Sequence, residues 1–279
     1  MRREELKGGK HGTFPGHRAF LALGVGAPWA RASTCSFIAS AAGAKLFAEP
    51  FNAASNAAFL LAALVALLLL FRRPKEMRSV DHFLLIGLVF VIGLGSIAFH
   101  LLADRASLLA DVIPIDVFLL VYLGFALNRF LGVPPGWTVL TLIGFAAIVF
   151  LTMQLKCWGG GIGFPGAEVT GASECLNGSL VYLPALLAMA IVGGLLAERK
   201  HPAAPFILWA ALIFAISVTF RSLDLALCGA YQLQGRNIGT HFVWHLLNGL
   251  ALFLLLRASL EVGARKPAGF LTNETRGPA

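Results

Sequence analysis

Seven long, predominantly apolar stretches dominate this chain, over 53–71, 83–103, 108–131, 137–155, 180–197, 206–227 and 238–256. Each has about the length a helix needs to cross the hydrocarbon core of a bilayer, roughly 20 residues. Helices are the spanning elements such stretches can form, because unpaired backbone groups are too costly in hydrocarbon and the period-two alternation of a barrel is absent. Composition agrees: 58% of the 279 residues are hydrophobic and 13% are charged, where a soluble domain carries about 25% charged residues. With a mean hydropathy of +0.79, an ordinary cytosolic enzyme, a disordered protein and a nucleic-acid-binding domain are all poor readings. The expected fold is an all-α polytopic membrane protein, a seven-transmembrane-helix bundle. It should occupy residues 49–260, between an N-terminal tail over 1–48 and a C-terminal tail over 261–279. No internal repeat of the kind found in many transporters is visible.

The net charge of +8, from 22 Lys and Arg against 14 Asp and Glu, is read as topology rather than as a nucleic-acid surface. Arg72, Arg73, Lys75, Arg78, Arg129, Arg199, Lys200, Arg257, Arg265, Lys266 and Arg276 lie in alternate connections and the C-terminal tail, whereas the other connections hold Arg105, Lys156 and Arg236. By the positive-inside bias the C-terminus is cytoplasmic and the N-terminus outside or lumenal. The basic residues of the N-terminal tail are discounted, since of them Lys45 alone lies near the first stretch. Ala30-Arg31-Ala32 has the form of a signal-peptide cleavage site, but the Gly and Pro in the apolar run before it, and the long polar leader, argue against one.

All four cysteines, Cys35, Cys157, Cys175 and Cys228, fall on the outer side in this orientation. An even number in an oxidising compartment suits disulfides. Of three possible connectivities, topology favours Cys157 with Cys175 and Cys35 with Cys228; four free, buried thiols are the alternative.

The informative residues are the polar ones inside the apolar stretches, since an ionisable group there costs about 2.5 to 3.5 kcal/mol and needs a partner or a purpose. Ser96 and His100 close the second stretch, four residues apart on one helical face. Asp111 and Asp116 open the third, and His241 and His245 open the seventh at the same four-residue spacing. Chain direction brings these ends to one leaflet, together with Glu49, Asn52, Ser55 and Asn56 before the first stretch and Asp224 at the end of the sixth. Three neutral imidazoles that leave a fourth position open form a catalytic zinc site, which activates water near neutral pH. Taken singly, Asp111 could pair with Arg105 and Ser96 could bond back to its own helix. Trp244 and Phe99 read as packing aromatics, His82 as a surface residue at the opposite end, and His11, His17 and His201 as tail or loop residues. Gly159-Gly160-Gly161 lacks the continuation of a phosphate loop and reads as a flexible outer loop that gates access.

These residues resemble the alkaline ceramidases and the wider superfamily of seven-helix membrane hydrolases that includes adiponectin-receptor-like proteins. The resemblance covers about 35–256. It is carried by Glu49-Pro50-Phe51-Asn52 with Ser55-Asn56, by Gly95-Ser96 through His100, by Leu109-Ala110-Asp111-Val112-Ile113-Pro114, and by His241 through His245. It implies an amidase in which His100, His241 and His245 hold zinc, Ser96 helps stabilise the oxyanion, and Asp111 orients or deprotonates the water and passes a proton to the leaving amine. The substrate would be a membrane lipid such as ceramide, released as sphingosine and a fatty acid. The family's disulfide between the N-terminal segment and the end of the sixth span is matched by Cys35 and Cys228. One departure is plain: ceramidases of this kind carry acidic calcium ligands around the N-terminal cysteine, whereas Cys35 is flanked by Ser33, Thr34, Ser36 and Phe37. Calcium dependence, and ceramide as the particular substrate, are left without that support. The competing readings are a heptahelical lipid receptor with a structural zinc, a bis-histidine haem carrier and a transporter; the four-residue spacing of His241 and His245 fits one shared metal better than two haems.

Overall fold

A computed structural model of the chain describes residues 49–166, 171–233 and 236–262. Seven of its helices are long and apolar enough to span a membrane: α1 (Pro50–Phe71), α2 (Val80–Leu102), α3 (Arg105–Phe130), α4 (Pro135–Gln154), α5 (Cys175–Glu198), α6 (Ala204–Leu223) and α7 (His241–Ser259). Three are internally irregular. α1 is interrupted at Asn56, α3 ends in a π turn over Ala126–Phe130, and α5 opens with a 3-10 segment over Cys175–Tyr182. The all-α bundle is the fold expected, apart from two small sheets outside the helices.

Local chemistry sets the helix ends. Asp104 caps α3 by accepting from Ser107 N at 2.7 Å, while Ser107 Oγ accepts from Asp104 N at 3.1 Å. Because Ala103 closes α2 in the left-handed conformation (φ 53°), two residues suffice to turn α2 into α3, and the two pack along their lengths. Gly95 permits a very close approach there: a Cβ on it would stand 2.0 Å from Ala110 O. That carbonyl has no helical donor four residues on, since position 114 is proline, so the α2 backbone fills the space beside it.

α1 packs against both α2 and α7, α6 against α7, and α5 against α6. α4 touches α3 but buries only Thr138, so its exposed apolar side chains, Trp137, Leu140, Ile143 and Phe150 among them, form surface suited to lipid. The hydrophobic core, built around Phe59, Leu85, Val89, Phe118, Leu196 and Leu256, lies between the helices.

Several expectations are corrected in detail. α6 stops at Leu223, so Asp224 caps it and Cys228 lies in the turns beyond it. α7 starts at His241 rather than 238, because Asp224 Oδ1 accepts from the backbone N–H groups of Thr240 (2.6 Å) and His241 (2.9 Å), an anion fixing a helix N-terminus. The glycine run is not a free loop. β1 (Lys156–Trp158) pairs antiparallel with both β2 (Gly161–Gly163) and β3 (Ser173–Glu174), an ion pair joins Lys156 to Glu174, and a disulfide joins Cys157 to Cys175. Cys228 is disulfide-bonded as well, and Cys35, its expected partner, lies outside the described residues.

His82 is not a surface residue but 1% exposed. It sits in the first turn of α2, where its Nδ1 accepts from Ser79 N at 3.3 Å, and its Nε2 reaches Ser259 O at 3.0 Å on α7. The helix N-terminus and the neighbouring helix C-terminus thus draw it inward. Around it the basic end of the bundle is tied by Arg129 with Asp81 and by Arg73 and Arg257 with Glu261.

Candidate metal centre

At the other end, α2 delivers His100 from its last turn and α7 delivers His241 and His245 from its first two turns. All three rings are buried, and one nitrogen or the other on each lies within 4.8 Å of the rest. The ring centroids are 4.7 to 5.4 Å apart.

A third helix orients them. Glu49 Oε2 stands 2.7 Å from His100 Nδ1, held in turn by Asn52 Nδ2 at 2.7 Å. His245 Nδ1 lies 2.8 Å from Ser55 Oγ and 3.2 Å from Asn52 O. The same carbonyl accepts from Ser55 Oγ and from Asn56 Nδ2, each at 2.8 Å. The backbone contributes as well, Glu49 N donating to His100 O at 3.3 Å. An acceptor at each Nδ1 places the ring proton there and turns the Nε2 lone pair free, as in the carboxylate–histidine arrangement of metal sites. His241 Nδ1 is buried with no hydrogen-bond partner, a state that costs a free energy of about 1 to 3 kcal/mol unless something else binds it. Three imidazoles, two of them held through Nδ1 and one with an unsatisfied nitrogen, supply a donor set that fits a divalent zinc-like ion.

Ser96, Asp111 and Asp116 line the same cavity as the three histidines, and buried Asp111 Oδ1 also has no hydrogen-bond partner. From this polar head the cavity passes Phe59, Ile92, Ile115 and Leu119 into an apolar limb bounded by Phe118, Met189, Leu252 and Leu255. Every candidate site residue read from the sequence, from Glu49 to His245, therefore converges on one end of the bundle. Asp224 is one step removed, acting on the backbone that presents His241.

The sequence reading missed Arg221, which is 3% exposed and lines the polar head. The signal was available, since an arginine within an apolar stretch demands the same explanation as a histidine there. Trp244 does pack, as expected, between Tyr182 and Phe214. Ser217 Oγ braces its backbone by donating to Trp244 O at 3.0 Å.

Fold and site together define the class: a seven-helix membrane protein with a buried three-histidine centre facing a largely apolar cavity. The chain belongs to the ceramidase family, whose model matches residues 42–266. No protein of curated function matches it. Membership implies a hydrolase that acts on amide bonds and takes a ceramide-like lipid.

Proposed function

We propose that the protein is a zinc-dependent lipid amidohydrolase that cleaves the amide of ceramide or a related membrane lipid into a sphingoid base, or another amine, and a fatty acid. The observation that carries this reading is the meeting of His100, His241 and His245 with Ser96 and Asp111 at the polar head of a cavity whose other limb is apolar. The three histidines would hold zinc, which when bound supplies Lewis acidity and makes water a nucleophile near neutral pH. Ser96 Oγ–H donates to the amide oxygen as negative charge develops on it. Asp111, through the oxygen that lacks a protein partner, accepts a proton from the attacking water and returns it to the leaving nitrogen. The apolar limb receives the acyl chain and keeps bulk water from the scissile bond. No calcium role is assigned.

The test is release of fatty acid and amine from a long-chain ceramide by the purified protein, alongside elemental analysis. Zinc present in the parent protein, and both zinc and turnover lost in His245→Ala, is the expected result. Zinc absent from the parent protein, or turnover kept in His245→Ala, would overturn the reading. Zinc retained and lipid bound without any turnover would favour the receptor-like alternative.

A further inference from the structure

Two carboxylates, Asp111 and Asp116, line the cavity, and the proposed reaction uses the first alone. Asp116 stands roughly 16 Å from the start of α3 at about 1.5 Å per residue, near the middle of a hydrocarbon core about 30 Å thick. An ionisable group at that depth is costly unless it has a partner or a purpose. Asp116 has no partner in the protein: among the described residues it makes neither a hydrogen bond nor an ion pair. It is exposed, as are the apolar side chains of Ile113 and Val117 on the same helix. The α4 residues that line the cavity with it, Val149 and Met153, are apolar too. The carboxylate therefore stands where the cavity wall meets the exposed surface of α3.

The cation of the cavity does not serve it. Arg221 is tied to Asn177 O at 2.8 Å, beside the rings of Tyr182 and Trp244. Its charge bears on Asp111, His241 and His245, and burial alone acts on Asp116. Nor does Asp116 share the place of Asp111, because five residues on a helix are roughly 7 Å along the axis and about 140° around it. An ionised carboxylate only accepts hydrogen bonds, so the group that matches it best brings N–H donors and a positive charge together. An alkylammonium does both, and it keeps its proton well above neutral pH. The chain of a long-chain amine is soluble in the bilayer that surrounds this position.

We propose that Asp116 is a binding site for the ammonium group of a long-chain amine, separate from the histidine centre. The ammonium donates to the carboxylate and supplies the counter-charge that the protein withholds. Two sources offer this chemistry. One is the amine released by cleavage of a lipid amide. The other is a second amino group on an amide substrate about six bonds from the scissile nitrogen, the length that covers the offset at roughly 1.2 Å per bond of extended chain. Naming the amine as product or substrate rests on the amidohydrolase reading; the binding itself does not.

The test is equilibrium binding of tritiated hexadecylamine to the purified full-length protein in nanodiscs of neutral lipid, with empty nanodiscs as the blank and hexadecanol as competitor. The amine should be preferred over the alcohol by at least about tenfold, the size of one charge-assisted hydrogen bond. Asp116→Asn should erase that preference while hexadecanol still binds, and Asp116→Glu should keep part of it. Equal affinity of the parent protein for amine and alcohol, or a preference that survives in Asp116→Asn, would overturn the proposal. Should Asp116→Asn fail to fold, dicyclohexylcarbodiimide decides in the unmodified protein. Modification of Asp116, mapped by mass spectrometry, should be blocked by dimethylhexadecylamine and not by hexadecane; equal labelling with both overturns the site. Tighter displacement by N-(5-aminopentyl)palmitamide than by N-hexylpalmitamide assigns the ammonium to a substrate, and equal displacement by the two assigns it to the product. An amine preference dependent on Asp116 in a protein that hydrolyses no amide leaves this site standing and removes the amidohydrolase reading. Turnover without that preference does the reverse.

Discussion

Glu49 and Ser55 touch the candidate ligands only through the far side of two imidazole rings, yet they fix which nitrogen of each faces the centre. Outer partners of this kind typically change metal affinity by about 10- to 100-fold. Glu49→Gln should weaken zinc binding by roughly that factor, measured by competition with a chromophoric chelator, while His100 itself stays in place. At this scale much was legible in the sequence. The four-residue spacing of His241 and His245, and the position of His100 at the end of an apolar stretch, are enough to bring three rings to one leaflet. Arg221 was legible too, as a charge inside an apolar stretch, but His82 was not, because it takes its meaning from Ser259, a partner far along the chain. Spacing within one helix carries no trace of such pairs.

At the level of the element, the α2–α3 pair positions Ser96 against Asp111, and Gly95 sets how closely the two helices approach. Gly95→Ala puts a methyl group against a backbone carbonyl that cannot yield as a side chain would. It should cost about 1 to 3 kcal/mol of stability, as overpacking does, and should lower turnover with little loss of bound zinc; thermal melting and elemental analysis separate the two effects. The cap of α3 gives a pH dependence. The Ser107 backbone N–H, and then its hydroxyl, hold the Asp104 carboxyl below its ordinary value of 3.8. A depressed carboxyl contributes stability that is fully present above that value and is lost as the pH falls through the lower folded-state one. Asp104→Ala should therefore melt below the parent protein at neutral pH, with the gap narrowing once the pH drops under 3.8. Helix existence and order were readable from hydropathy, but the ends were not. The start of α7 is set by the carboxylate that follows α6, and the glycine run becomes the turn of the β1–β2 hairpin, while a disulfide and an ion pair tie β1 to the far end of the loop at Glu174 and Cys175.

Across the whole molecule the two ends of the bundle divide the work. The histidines of the centre occupy one, and the other is a basic, ion-paired base in which His82 links α2 to the last turn of α7. His82→Ala should cost about 1 to 3 kcal/mol, the range for leaving a buried hydrogen-bonding group without its partner. Zinc content should be unchanged, so chemical unfolding and metal analysis on one sample distinguish a structural histidine from a ligand. The sharing of the centre among α1, α2 and α7 also has a consequence in time. A ribosome makes the orienting residues first, one ligand soon after, and the remaining two only with the last membrane helix. No partly synthesised chain can hold the complete set, so a growing polypeptide threaded into its own membrane stays chemically silent toward the lipids around it until the final helix has joined the first.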